Sequence, residues 1–150
     1  MKNTFEKSKE IFSEALNCLA QEDFVNAEKK LLETYNLTPE RISIASNLVQ
    51  IYIKLEDSIK LNNFLKKINN FEDTFDFKIG LGFLKFFNKN YTDSLNICKD
   101  LKPKNLKQKV QAINLKIKNL DELNKFDEVI VLYKEILLIK KDNHINYYNF

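Results

Sequence analysis

Apolar residues recur at helical spacing along the chain, in short stretches separated by polar turns. The first two stretches carry the apolar or small residues Ile11, Ala15, Cys18 and Leu19, then Phe24, Ala27, Leu31 and Thr34. Steps of three and four residues place such side chains on one face of an α-helix. The pattern predicts an all-α fold with helices at about 4–20, 24–36, 40–54, 58–69, 75–88, 91–100, 105–122 and 126–140.

Capping residues stand near several of these boundaries. Asn3, with Glu6 three residues later, predicts a capping-box-like helix start. Pro39, between a threonine and a glutamate, suits the beginning of a helix. Asp57 and Asp127 are expected to cap the helices that follow them.

The helices recur as pairs with a period of about 34 residues. Aligning the residue after each short polar turn brings Phe24, Ser58, Tyr91 and Phe126 into register, at steps of 34, 33 and 35 residues. Positions three, seven and ten residues further on are mostly apolar or small in every copy. A single helix pair buries too little apolar surface, so such pairs are stable only as a stack.

Small residues recur at matching places of the pairs. Ala15 matches Gly82 in the first helices, and Ala27 matches Ser94 in the second helices. Less bulk at these places lets paired helices approach closely. We therefore expect tight helix contacts at these four positions.

The chain resembles the tetratricopeptide repeat family over nearly its whole length. The resemblance is carried by the period, the small positions, the aromatic after the turn and Pro39 after the first pair. The resemblance implies a right-handed α-α superhelix, a solenoid of antiparallel helix hairpins. It implies one domain over residues 1–150, with repeats at about 8–41, 42–75, 75–108 and 109–142. The repeats are degenerate, because the family's turn glycine is replaced by Glu22, Glu56, Lys89 and Asn124.

After Asp142 the helical pattern begins again. Tyr147 and Phe150 fall where a fifth first helix would place inward-facing bulky residues. Two interpretations of residues 143–150 stay open, namely the start of a fifth repeat and a short tail docked on the last hairpin. The first interpretation makes the chain part of a longer protein.

Composition narrows the class further. Two glycines and two prolines leave little turn chemistry for a sheet protein. Cys18 and Cys98 lie in apolar helical stripes, which argues against disulfides and for a reducing compartment. No apolar stretch approaches the roughly 20 residues of a membrane span, and residues 1–10 lack the apolar core of a signal peptide. We predict a cytoplasmic protein with no membrane partner.

Residues that carry catalytic or metal-binding chemistry are scarce and scattered. His144 is the only histidine and lies in the terminal segment, which disfavours a nucleophile–histidine pair. One histidine and two separated cysteines offer no metal-ligand spacing. Gly80 and Gly82 are not followed by a phosphate-binding sequence. We expect neither an enzyme nor a cofactor or metal site.

In the family that the chain resembles, the first helices line a concave groove that binds a protein or peptide. The resemblance implies a noncovalent interaction scaffold whose partner is unidentified. The residues at groove positions are Lys9, Phe12, Ser13, Ser46, Asn47, Gln50, Lys54, Ile79, Phe83, Phe87, Asn114 and Lys118. Each also fits an ordinary solvated helix face.

Aromatic residues are concentrated in the third pair, at Phe75, Phe77, Phe83, Phe86 and Phe87. One helix cannot point this many side chains along one stripe, so we expect some of them to reach the groove or a partner.

Some family members clamp a partner's terminal carboxylate with lysines and asparagines. Only Asn47 matches that set here, while Phe12, Leu16, Asp76 and Gly80 occupy the other positions. A carboxylate clamp lacks its cations, so we do not expect one.

Two further functions stay open. Repeats of this kind precede glycosyltransferase or sulfotransferase domains in some bacterial proteins, so the chain could be the N-terminal region of a larger enzyme that recruits its substrates. RNA is the weaker alternative, suggested by seven lysines against one acid, Asp100, between Lys99 and Lys118. A net charge of only +3 and a single arginine, Arg41, argue against nucleic acid.

Overall fold

The structure, a computed structural model, describes residues 3–143, with only the backbone of Asn143. Within this range it contains eight α-helices, a 3-10 turn at Asn69–Phe71 and no strand. The helices are α1 (Thr4–Ala20), α2 (Phe24–Leu37), α3 (Ile42–Lys54), α4 (Ser58–Lys67), α5 (Phe75–Phe87), α6 (Tyr91–Lys99), α7 (Leu106–Glu122) and α8 (Phe126–Asn143). The all-α class is confirmed, and each predicted helix is present with its ends within three residues.

The chain divides into two compact units, residues 1–71 and 72–150. In the first unit, each helix from α1 to α4 packs against the next. In the second unit, α5 to α8 pack in the same sequential way, and α5 also packs against α7. Each unit therefore contains two helix hairpins.

One backbone motif closes all four hairpins. Glu22, Glu56, Lys89 and Asn124 have φ values of 57°, 53°, 63° and 59°, in the left-handed region. In the first turn, the N–H of Glu22 donates to the Leu19 carbonyl at 3.0 Å. The next N–H, that of residue 23, donates to the carbonyl of residue 18 at 2.9 Å. This is a Schellman motif, and the other three turns contain the same two bonds.

The residue after each left-handed position immediately precedes the next helix. Two of these residues cap that helix through a side-chain oxygen: Asp23 accepts from the Asn26 N–H at 3.3 Å, and Asp57 accepts from the Lys60 N–H at 3.0 Å. One residue thus both ends the first helix and starts the second.

Three other predicted caps have different outcomes. Asn3 caps α1 by accepting from the Glu6 N–H at 2.8 Å, as predicted. Asp127 was predicted to be a cap, but α8 begins one residue earlier and Asp127 lies in its first turn. The prediction of a helix starting at Pro39 was also wrong, because α3 begins at Ile42 with Arg41 as its N-cap.

The small residues lie where helices meet most closely. Ala15 and Ala27 are fully buried in the first unit. A Cβ atom on Gly82 would stand 2.7 Å from Cδ2 of Leu115, so a larger residue at position 82 would require the Leu115 side chain to shift. Ser94 is fully buried as well. The predicted close approach is confirmed at Gly82 and Ser94, whereas Ala15 and Ala27 are shown only to be buried.

A buried polar network joins three helices of the second unit. Ser94 of α6 donates its hydroxyl hydrogen to the Gly82 carbonyl of α5 at 2.8 Å. The side-chain amide of Asn119, on α7, donates to Oγ of Ser94 at 2.8 Å and to the Leu115 carbonyl at 2.9 Å. Asn119 is fully buried, and its Oδ1 atom has no hydrogen-bond partner among the described residues.

Candidate partner-binding faces

The first unit presents the groove candidates of α1 and α3. Lys9, Ser13 and Lys54 are exposed, whereas the remaining four are half-buried: Phe12, Ser46, Asn47 and Gln50. The Asn47 side-chain amide donates to the Ser43 carbonyl of its own helix at 2.8 Å. This face therefore combines exposed cations with partly covered amides and one aromatic ring.

Arg41 joins the N-terminus of α3 to α1. Its guanidinium carbon lies 5.2 Å from the ring centroid of Phe12 and 5.8 Å from that of Phe5. Its Nη1 donates to the Ser8 hydroxyl at 3.3 Å, and Ser8 shares a 2.6 Å hydrogen bond with the Thr38 hydroxyl. One cation between two rings, tied to a buried hydroxyl pair, fixes the junction of α1 and α3.

Two lysines of the first unit also lie over aromatic rings. Nζ of Lys9 is 5.3 Å from the Phe5 centroid, and Nζ of Lys54 is 5.5 Å from the Phe24 centroid. At exposed sites such contacts contribute about 0.5–1 kcal/mol. These cations are consequently held near apolar surface.

In the second unit, two of the five groove candidates are buried. Ile79 and Phe83 are 0% and 5% exposed, on a helix that packs against both α6 and α7. A partner cannot contact them in this packing, so we leave both out of the proposed binding face. Phe87 and Asn114 are half-buried and Lys118 is exposed.

Aromatic rings form a chain along α5 and the start of α6. Phe83 and Phe87 have centroids 6.0 Å apart, Phe87 and Phe86 are also 6.0 Å apart, and Phe86 is 5.7 Å from Tyr91. Nζ of Lys118 lies 5.9 Å from the Phe86 centroid. All but Phe83 are half-buried or exposed, so this aromatic chain reaches the surface.

Arg41, Phe86 and Tyr91 belong to these faces but were not among the predicted groove residues. Arg41 was considered only as a compositional oddity. Phe5 and Phe12, seven residues apart, share one side of α1 and signalled a site for a stacked cation. Arg41 reaches this site because of the path of residues 38–41. Helical periodicity does not specify that path.

Three further observations concern the chemistry of residues 3–143. That range contains no group of three or more His, Cys, Asp or Glu side chains that could hold a metal ion. Cys98 is buried, which raises the pKa of its thiol to about 11. An open pocket of about 340 Å³ lies at the third turn, lined by Lys89, Asn90, Tyr91, Thr92, Asp93 and Leu123.

The lysines between Lys99 and Lys118 are exposed except for Lys116, which is half-buried. They extend from the end of α6 through the following loop and along α7. Lys109 lies 3.9 Å from a carboxylate oxygen of Glu135, and Lys118 lies over a ring. Two of these cations therefore already have neighbours within the protein.

Three wider observations complete the description. None of the helices described between residues 3 and 143 is long and apolar enough to cross a membrane. The C-terminal residues for which a fifth repeat or docked tail was predicted lie outside the described range, apart from the backbone of Asn143. No protein family, curated protein or solved structure matches the chain.

Proposed function

We propose that the chain is a tetratricopeptide-type interaction scaffold that binds a protein or peptide noncovalently along the faces of its first helices. The observation that supports it most is the fourfold recurrence of the same helix, Schellman turn and helix, at steps of 34, 33 and 35 residues. Recurring hairpins provide extended surface for a partner.

The side chains on these faces fit a peptide partner. In the first unit, α3 offers the half-buried amides of Asn47 and Gln50 and the exposed cation of Lys54. In the second unit, Phe86 and Phe87 offer partly exposed aromatic surface beside Lys118. Amides can bond a peptide backbone, and rigid aromatic rings give contact area at small entropic cost. The proposal includes a right-handed superhelical stack of the four hairpins.

The test compares face variants in pull-downs from a lysate of the organism that encodes the chain. The first variant is Asn47→Ala/Gln50→Ala, and the second is Phe87→Ser/Lys118→Ala. The matched control is Lys66→Ala/Lys67→Ala, which changes two exposed residues of α4, a second helix.

We expect at least one protein to be retained by the wild type and the α4 control and lost with a face variant. Circular dichroism must show that each variant is still helical. Equal recovery of every partner by all four proteins would contradict the assignment of these faces.

A further inference from the structure

The last described helix carries an exposed apolar row. Phe126, Ile130, Tyr133 and Leu137 follow one another at steps of four, three and four residues, which places them along one side of α8. Their exposed fractions are 55%, 52%, 53% and 60%. We call these four residues the α8 seam.

The position that Tyr133 holds in the seam is buried in the other second helices. Leu31 of α2 occupies the place in its helix that Tyr133 occupies in α8, and Leu31 is fully buried because α3 packs against α2. Cys98 occupies this place in α6 and is buried where α7 packs. The α8 seam thus exposes, at Tyr133, a position that is buried in α2 and α6.

The charges beside the seam fit a second copy of the same helix. Asp127 and Lys134 each follow a seam residue, so they lie along one edge of it. If two copies of α8 pair in antiparallel orientation, with Phe126 opposite Leu137 of the second copy, Asp127 comes within one helical turn of the other copy's Lys134. Twofold symmetry forms this ion pair twice.

The two charges are too far apart to pair within one helix. They are seven residues apart, a rise of about 10 Å along the axis. The acid precedes the lysine along α8, and this order favours antiparallel pairing of the two helices. In that orientation Asp127 of each copy lies near Lys134 of the other copy. A seam with this charge pattern is complementary to itself.

We propose that two copies of this chain associate through their α8 seams in antiparallel orientation. Four apolar residues from each copy bury less than the ~1,200 Å² of a standard specific interface, so the association is weak. We expect a Kd on the order of 10–100 µM. This surface is distinct from the faces of the first helices and is independent of the function proposed for them.

Sedimentation equilibrium of the chain from roughly 1 µM to 1 mM tests the association around the expected Kd. The wild type is expected to pass from monomer to dimer over this range. Tyr133→Ser/Leu137→Ser is expected to weaken the dimer more than about tenfold. Both copies carry the two substitutions, so the interface loses four apolar side chains. Ile59→Ser, at an exposed apolar residue of α4, is the matched control and should dimerise like the wild type.

A charge-reversal experiment tests the orientation. Asp127→Lys opposes two lysines in its own dimer, and Lys134→Glu opposes two acids, so each variant should dimerise roughly tenfold more weakly. In an equimolar mixture, Lys of the first variant meets Glu of the second, and the unchanged Lys134 meets the unchanged Asp127. The mixed dimer is therefore expected to regain wild-type affinity.

Three results would overturn the proposal: a wild-type chain that stays monomeric at the highest concentration, a dimer that survives Tyr133→Ser/Leu137→Ser, or charge variants whose mixture shows no recovery. Replacing Tyr147, Tyr148 and Phe150 with Ser tests whether the chain's own C-terminal residues compete with a second copy for the α8 seam. If the wild type is monomeric and this variant dimerises, the chain's own C-terminal residues cover the seam instead of a second copy.

Discussion

At the scale of single residues, the four hairpin turns hold non-glycine residues in a conformation that favours glycine. An L-residue in the left-handed region carries a penalty of about 1–2 kcal/mol from the contact of its Cβ with the backbone. Glu22, Glu56 and Lys89 accept this penalty in turns whose two hydrogen bonds are complete. The turn is therefore specified by its bonds and by the helices that it joins.

Replacing these residues with glycine is expected to stabilise the protein. Glu22→Gly, Glu56→Gly and Lys89→Gly should each raise the free energy of unfolding by about 0.5–1 kcal/mol, since relief of the Cβ contact exceeds the entropy that glycine loses on folding. Asn124→Gly should gain less, because asparagine tolerates this region. Urea denaturation measures the change.

Gln21→Gly is the control for this prediction. Gln21 precedes the left-handed position and has a φ of −93°, so glycine brings no relief there and should lower stability. If all three glycine variants at left-handed positions were no more stable than the wild type, the strain argument would be wrong.

At the scale of helices, Ser94 and Asn119 link α5, α6 and α7 through the buried polar network. Ser94→Ala removes the bond to the Gly82 carbonyl and deprives one amide hydrogen of Asn119 of its acceptor. We expect a loss of about 1–3 kcal/mol, because an unpaired buried donor retains its desolvation penalty. Asn119→Ala should be less costly than its burial suggests, since it also removes the unpaired Oδ1.

A double-mutant cycle measures this link. The free energy lost by Ser94→Ala/Asn119→Ala should be smaller than the sum of the two single losses by about 0.5–3 kcal/mol. Thr92→Ala, at an exposed position of α6, is the control and should show no coupling to Asn119→Ala. Additive losses for the buried pair would contradict the network.

The helices were predictable from the sequence because their signals are local. The spacing of apolar residues and the polar turns located all eight, and Asn3 and Asp57 cap the helices as expected. The candidate faces were harder to predict. Ile79 and Phe83 lie at groove positions of the pattern, yet both are buried in the tertiary packing of α5, which no local pattern encodes.

At the scale of the whole molecule, stability should decrease in alkaline solution. Burial raises the pKa of the Cys98 thiol to about 11, from 9.0 for an ordinary cysteine, partly opposed by Lys116. Desolvation, with the Glu28 carboxylate second, also raises the pKa of Tyr52. Between pH 9 and 11 the unfolded chain releases the thiol proton while the folded chain keeps it, so unfolding becomes more favourable as pH rises.

Cys98→Ala isolates the thiol in this pH dependence. From pH 9 to 11 the variant should lose less unfolding free energy than the wild type, by up to about 2 kcal/mol, while Tyr52 contributes equally to both. Urea denaturation at several pH values gives the two slopes, and Cys18→Ala provides a second thiol deletion for comparison. Parallel slopes for wild type and Cys98→Ala would show that the buried thiol does not control this loss.

In each hairpin turn, the residue after the left-handed position ends the first helix and immediately precedes the second. This double role limits where the repeats can accept an insertion or a deletion. Each turn has three residues between its helices, whereas the links between hairpins run over residues 38–41, 68–74 and 100–105. Deleting one turn residue would rotate the second helix by about 100° relative to the first and direct its apolar stripe away from their contact. Insertions and deletions in related genes should therefore accumulate between hairpins, and the three-residue count within each turn should be inherited unchanged.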